Sequence, residues 1–114
     1  MAVQLATGER VWYAPLAEPG REVWNAAAAT AIPGVVFVSG ADGQLHAVST
    51  SDGQVLWEYA TARDFETVNK VRAQGGSIRA PGVTIAGGML FAGSGYGFGA
   101  TDTPGNVLLA FSAE

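Results

Sequence analysis

The chain has 114 residues, enough for one modest domain, with a net charge of −4, only six lysines and arginines, and no cysteine. Hydrophobic residues reach 48% and charged residues 14%, which excludes a disordered tail; without a basic cluster there is nothing to neutralise a phosphate backbone, so nucleic acid is excluded as a partner. The missing cysteines rule out disulfides, thiolate metal sites, a cysteine nucleophile and haem attachment through C-x-x-C-H.

Taken in chain order, "MAVQLATGERVW" has neither the charged region nor the apolar stretch of a signal peptide. Residues 3–14 read as the outer strand of a unit whose other strands are missing. Residues 24–59 read as a complete unit. Within it, "NAAAATA" (25–31) has helical propensity, but its repeat partner carries Pro81 and Gly82 and so argues for strand. "GVVFVSG" (34–40) is a β-branched and aromatic strand, and "ADG" (41–43) suggests a two-residue hairpin turn. "QLHAVS" (44–49) alternates, with Leu45, Ala47 and Ser49 on one side and His46 and Val48 on the other. After the turn "SDG" (51–53), "QVLWEY" (54–59) puts Val55, Trp57 and Tyr59 on one face. Residues 60–78 are more polar and read as an inserted loop.

Residues 79–112 begin the pattern again. Gly88 stands against Gly34, Leu90 against Val36 and Phe91 against Phe37, while "GNVLLAFS" (105–112) matches "GQLHAVS" with one extra residue that a β-bulge could absorb. Gly8 and Gly53, and likewise Trp12 and Trp57, lie 45 residues apart (53 − 8 and 57 − 12). A 45-residue period with several strands per unit is that of a β-propeller blade. The expectation is therefore an all-β chain, a partial β-propeller of about two and a half four-stranded antiparallel blades in one domain, 1–114. An open sandwich or a small complete barrel stays open as the alternative. No apolar run approaches the ~20 residues of a membrane span.

The segments "TGERVW" and "SDGQVLW" resemble the tryptophan-docking repeats of quinoprotein dehydrogenases, eight-bladed propellers that bind pyrroloquinoline quinone (PQQ). The longer run "WNAAAATAIPGVVFVSGADGQLHAVSTSDGQVLWEY", with "GGSIRAPG" and "GGMLFAGSGYG…PGNVLLAFS", is most similar to the C-terminal blades of the polyvinyl-alcohol-dehydrogenase-like branch. The resemblance covers nearly the whole chain. It implies that Gly8, Trp12, Gly53 and Trp57 are structural docking residues, since a tryptophan on an outer strand buries an apolar face while its N–H finds a backbone acceptor.

Trp24 and Asn25 precede an innermost strand, from which residues can face a propeller's channel, and become candidates for the cofactor or substrate pocket. In "QGGSIRAPG" (74–82), Gly-Gly would let backbone approach a ligand closely, and Ser77 and Arg79 could meet the quinone's carboxylates. A strand-entry turn with a solvated arginine is the plainer reading. Asp64, Glu66 and Asn69 lack the order of a calcium loop. "GSGYGFGA" (93–100) has no following helix to seat a pyrophosphate and reads as a long hairpin loop with Tyr96 and Phe98 over a blade end. His46 is the only histidine, better placed for a surface or interblade role than for catalysis.

The resemblance implies a C-terminal segment of a PQQ-dependent, periplasmic alcohol dehydrogenase, with calcium bound elsewhere in the full-length protein. No catalytic or metal-binding residue is assigned in this chain. A non-catalytic propeller scaffold of the outer-membrane-assembly type is the alternative. Its partners would be the remaining blades, or other copies through exposed blade faces.

Overall fold

The computed structural model describes residues 1–17, 19–25, 27–79, 82–97 and 99–113. Among these, the regular structure is all strand, in antiparallel sheets of two to four strands. Strands β3 (Thr30–Ile32), β4 (Val35–Ser39), β5 (Gln44–Ser49) and β6 (Val55–Ala60) pair in chain order as a four-stranded meander. A three-stranded sheet follows, made of β9 (Val83–Ala86), β10 (Met89–Ser94) and β11 (Val107–Ser112). Two hairpins complete the fold, β1 (Ala2–Val3) with β2 (Arg10–Trp12) and β7 (Asp64–Glu66) with β8 (Arg72–Gln74). This is a partial β-propeller of repeat type.

The 45-residue period reappears bond for bond. Gln4 N–H donates to Glu9 O and Gly8 N–H to Gln4 O; forty-five residues on, Ser49 N–H donates to Gln54 O and Gly53 N–H to Ser49 O. Both turns place a glycine at positive φ, 73° at Gly8 and 77° at Gly53, where a Cβ would strain the backbone. In each, a side-chain oxygen accepts the N–H two residues on: Thr7 Oγ1 from Glu9 and Asp52 Oδ1 from Gln54. The same Asp-Gly-Gln chemistry recurs at residues 42–44, where Asp42 Oδ1 accepts from Gln44 N–H at 3.1 Å.

Four local expectations change. The stretch 3–14 holds a turn and the ends of two paired strands, because the Gly8 turn reverses the chain inside it. Gly40 N–H reaches Gln44 O, so the β4–β5 connection is the three-residue loop Ala41–Gly43 with Gly43 at φ 75°, not a two-residue turn. The extra residue of 105–112 makes no bulge: β10 and β11 stay in register from Met89↔Ser112 to Ser94↔Val107, and the long connection 95–106 absorbs it. The irregularity falls instead between Ala47 and Val48 on β5. Finally, the insertion 60–78 contains the β7–β8 hairpin, which turns through Lys70 at φ 61°.

The core lies between the two larger sheets. Leu45, Ile78, Val83, Leu90 and Ala92 are buried there, with Phe37, Ile85 and Phe111 packed against them. Fully burying a side chain such as Leu45 contributes ~1.5–3 kcal/mol. Strand β5 is buried on both faces, so His46 and Val48 are as enclosed as Leu45 and Ala47. Thr30 Oγ1 donates to Val83 O at 2.7 Å and ties the two innermost strands together.

Because neighbouring strands run antiparallel, the connections sort to opposite ends. The turns 4–9, 33–34, 50–54 and 87–88 gather at one end, and the connections 13–29, 61–82 and 95–106, with the short loop 40–43, at the other. Backbone bonds stitch these last four into a single cap: Ala41 N–H to Trp24 O, Ile78 N–H to Gly40 O, Thr61 N–H to Gly43 O and Gly95 N–H to Ser77 O.

Candidate functional site

Two kinds of site emerge, one at each end of the sheets. At the short-turn end the Trp12 ring lies on Gly53; a Cβ there would stand 2.5 Å from Trp12 Cε3. Its indole N–H donates to Thr50 O at 2.9 Å. Gly53 is thus required twice, for the turn and for the ring that rests on it. Trp57, one repeat later, stacks with Tyr59 (centroids 5.8 Å) and meets Phe111 of the next sheet edge-on at 5.3 Å. Trp12→Phe removes the donor and part of the ring that lies on Gly53, so urea unfolding should show a loss larger than the ~1 kcal/mol net worth of one hydrogen bond.

The same turn carries a pH dependence. The Gln54 N–H, and after it the Ser49 hydroxyl, hold the Asp52 carboxyl below its ordinary 3.8. A depressed carboxylate adds stability that is present above the unfolded value and is lost as pH falls through the folded one. Below about pH 3.8 the Thr50–Gly53 turn is therefore expected to weaken. Comparing urea midpoints at neutral and strongly acid pH should show a smaller acid loss in Asp52→Asn.

At the long-loop end, two clefts of about 740 and 700 Å³ open side by side. Trp24, 70% exposed, lines both, while its carbonyl is fixed by the Ala41 N–H at 3.0 Å. Asn25 lines the first cleft and Arg79 the second.

Ser77 is fully buried; its hydroxyl donates to Ala41 O and accepts the Thr103 N–H. Arg79 grips Asp102 through two nitrogens, Nε and one terminal nitrogen, with contacts from 2.6 to 3.0 Å. Its side chain is part-buried, and its charge is compensated. The close approach that the Gly-Gly pair permits is made by the chain itself, since a Cβ at Gly75 would stand 1.7 Å from Thr61 O and one at Gly76 2.1 Å from Thr103 O. Beneath them Thr61 Oγ1, Ser94 Oγ and the Gly43 and Gly76 carbonyls form a buried polar network.

Sequence reading missed Asp102, which lies beyond a run of glycines with no motif to mark it. It also missed Thr61 and Ser94, whose hydroxyls meet across 33 residues. His46 Nε2 lies 3.8 Å from Glu58, its partner across the β5–β6 ladder. Tyr96 is exposed on the 95–106 connection, while Phe98 lies outside the described residues. Asp64, Glu66 and Asn69 do not meet as a metal site: among the described residues no three His, Cys, Asp or Glu side chains converge for one. No helix among them is long and apolar enough to cross a membrane.

As a seat for a quinone tricarboxylate, the long-loop end is poorly matched. Arg21 and Arg79 supply cations, but Glu22 and Asp42 share the second cleft and Asp102 already neutralises Arg79. A triply anionic group would meet no net positive field there.

Antiparallel sheets whose turns repeat at 45 residues define a segment of a repeat-built β-propeller. The chain belongs to the PQQ_2 family, described as outer membrane protein assembly factor BamB, which it matches over residues 1–113. It is 42% identical to a polyvinylalcohol dehydrogenase of Pseudomonas sp, and 32% identical to another of Sphingopyxis sp. (strain 113P3). Each alignment covers 99% of this chain and 20% of the relative, so the chain spans one fifth of the curated relatives it matches. No solved structure matches it.

Proposed function

We propose that this chain is a segment of a quinone-dependent alcohol dehydrogenase of the polyvinyl-alcohol-oxidising kind, located in the periplasm. It contributes blade structure and a substrate-facing loop end. The 42% identity over essentially the whole chain carries this reading. In such enzymes the cofactor supplies the redox chemistry and the protein supplies orientation. Because the carboxylates Glu22, Asp42 and Asp102 outnumber the cations Arg21 and Arg79 at the loop end, the quinone, with any calcium, is assigned to other parts of the longer protein. Ser77 and Arg79 then serve the loop cap, Trp24 and Asn25 face the pocket, and the pairs Trp12–Gly53 and Trp57–Phe111 fasten neighbouring blades.

Its partners are the remaining blades. An apolar wedge of about 560 Å³ between the sheets, lined by Trp57, Phe111, Ile85 and Leu56, stays open beside the unpaired edge of β11. Leu108 on that strand is 68% exposed. Open edges with apolar surface associate, so the isolated chain is expected to self-associate in light scattering.

The decisive test replaces the matching fifth of the Pseudomonas relative with this chain. A folded chimaera that oxidises polyvinyl alcohol with PQQ supports the dehydrogenase reading. A folded chimaera that binds PQQ in its other blades yet oxidises nothing overturns it in favour of a non-catalytic scaffold, the role that the family description suggests.

A further inference from the structure

We infer that the 114-residue chain assembles head to tail with copies of itself, the β9–β10–β11 sheet of one copy taking strand β2 of the next as its fourth strand. The inference rests on the propeller fold alone and not on the dehydrogenase reading.

The repeat shows what each surface is built to meet. In the first sheet β6 is the fourth strand, paired along β5 with Ala47 opposite Trp57 and Val48 opposite Val55. Strand β2 is a strand of the same kind. Ala2 stands opposite Trp12 and Val3 opposite Arg10, each 45 residues before its counterpart (47 − 2, 57 − 12, 48 − 3 and 55 − 10). The irregularity recurs too, between Ala2 and Val3 as between Ala47 and Val48. Yet β1 offers β2 only two residues, where β5 offers β6 a strand of six.

Strand β11 is the six-residue partner that β2 lacks. It lies on β10 as β5 lies on β4: Ala110 stands opposite Phe91 and Ser112 opposite Met89, as Ala47 does opposite Phe37 and Ser49 opposite Val35. Ala110 and Phe111 therefore correspond to Ala47 and Val48, and through them to Ala2 and Val3. No described strand pairs with the outer edge of β11. With β11 in the place of β1, Ala110 comes opposite Trp12 and Phe111 opposite Arg10 of the next copy. A two-residue pairing is exchanged for a longer ladder, and an open edge is closed.

The sheet faces agree. Leu45 and Ala47 lie on the side of the first sheet that meets the second, and both are buried. Their counterparts Leu108 and Ala110 are exposed, Leu108 at 68%. What covers Leu45 is known: it shares one buried cluster with Leu90 and Ala92 of β10. The positions equivalent to these on β4 are Val36 and Val38, which are only half-buried and so present the next copy's matching surface. The junction joins two different surfaces, and such contacts close into a ring where the rotation per copy permits. Each junction completes a second four-stranded blade per copy. Since closed propellers have about four to eight blades, the ring holds about two to four copies.

The test is native mass spectrometry of the 114-residue chain, with one closed species of about two to four copies expected. Leu108→Arg puts a charge on the tail surface, and Arg10→Pro removes a ladder N–H from the head strand β2. Both positions are exposed, so each variant should stay folded by circular dichroism and be monomeric alone. Mixed, the two should form a one-to-one heterodimer and nothing larger, because each keeps the surface that the other has lost. Removing residues 1–9 frees β2 from β1 and should strengthen assembly of the otherwise unchanged chain.

A monomeric chain, a spread of sizes that Leu108→Arg leaves unaltered, no heterodimer from two folded variants, or weaker assembly after the deletion would each overturn the inference. The dehydrogenase reading would survive such a result, and an inactive chimaera would leave the assembly standing.

Discussion

Gly75→Ala is expected to abolish the cooperative fold of this chain. A Cβ at that position would lie 1.7 Å from Thr61 O, and the obstacle is backbone, which cannot swing aside like the end of a flexible side chain. Gly75 N–H also donates to Arg63 O at the base of the β7–β8 hairpin, so moving the glycine outward breaks that bond. Moving Thr61 instead breaks its bonds to Gly43 O and Ser94, which are fully enclosed. Unsatisfied buried groups cost ~1–3 kcal/mol each, and several would be lost together against a total stability of ~5–15 kcal/mol. Loss of the urea transition is the expected observation. A transition of unchanged midpoint would show that the junction has room that these contacts deny. Gly87→Ala is the control: no heavy atom stands within 4 Å of its added Cβ, so only the backbone cost of φ 58° remains.

Arg79→Ala is expected to cost about 3–5 kcal/mol, the scale for removing one partner of a buried ion pair. The Asp102 side chain is only 3% exposed and that of Arg79 24%, so water does little to screen the charge left behind. Asp102 also accepts the Gly99 N–H at 2.7 Å, which places the pair at the foot of the 95–106 connection. Hydrogen exchange should quicken around Thr101–Thr103, while the turn under Trp12 is unaffected. Arg79→Lys should recover only part of the loss, because an ammonium cannot reproduce the planar fork. Replacing both partners with leucines should cost less than Arg79→Ala alone, since no charge is then stranded. If Arg79→Ala leaves the urea midpoint unchanged, the pair adds nothing to the fold.

Strand order and the repeat could be read directly from residue patterns. Alternation from Gln44 to Ser49, β-branched runs closed by glycine and the Gly-x-x-x-Trp spacing are local or periodic signals, and each is the cause of what it marks. The glycines of the short turns sit at positive φ, and Trp12 lies where its ring covers the Gly53 turn. The site was legible only in part. The place of Trp24 before an innermost strand pointed to the loop end, but Ser77 and Arg79 were read by residue type, and residue type does not reveal a partner.

By itself, then, the sequence determined an all-β propeller segment, its 45-residue period and its family, because those depend on interactions repeated at short range. Only the tertiary structure decided what the Gly-Gly-Ser-Ile-Arg stretch does. Its contacts include Gly40, Ala41, Thr61, Ser94, Asp102 and Thr103, which lie 14 to 38 residues away in the chain (75 − 61 and 78 − 40). Side chains and carbonyls so far apart meet only after the sheets have packed. Whether a serine or an arginine is free for a ligand or committed to its own chain is settled at that step.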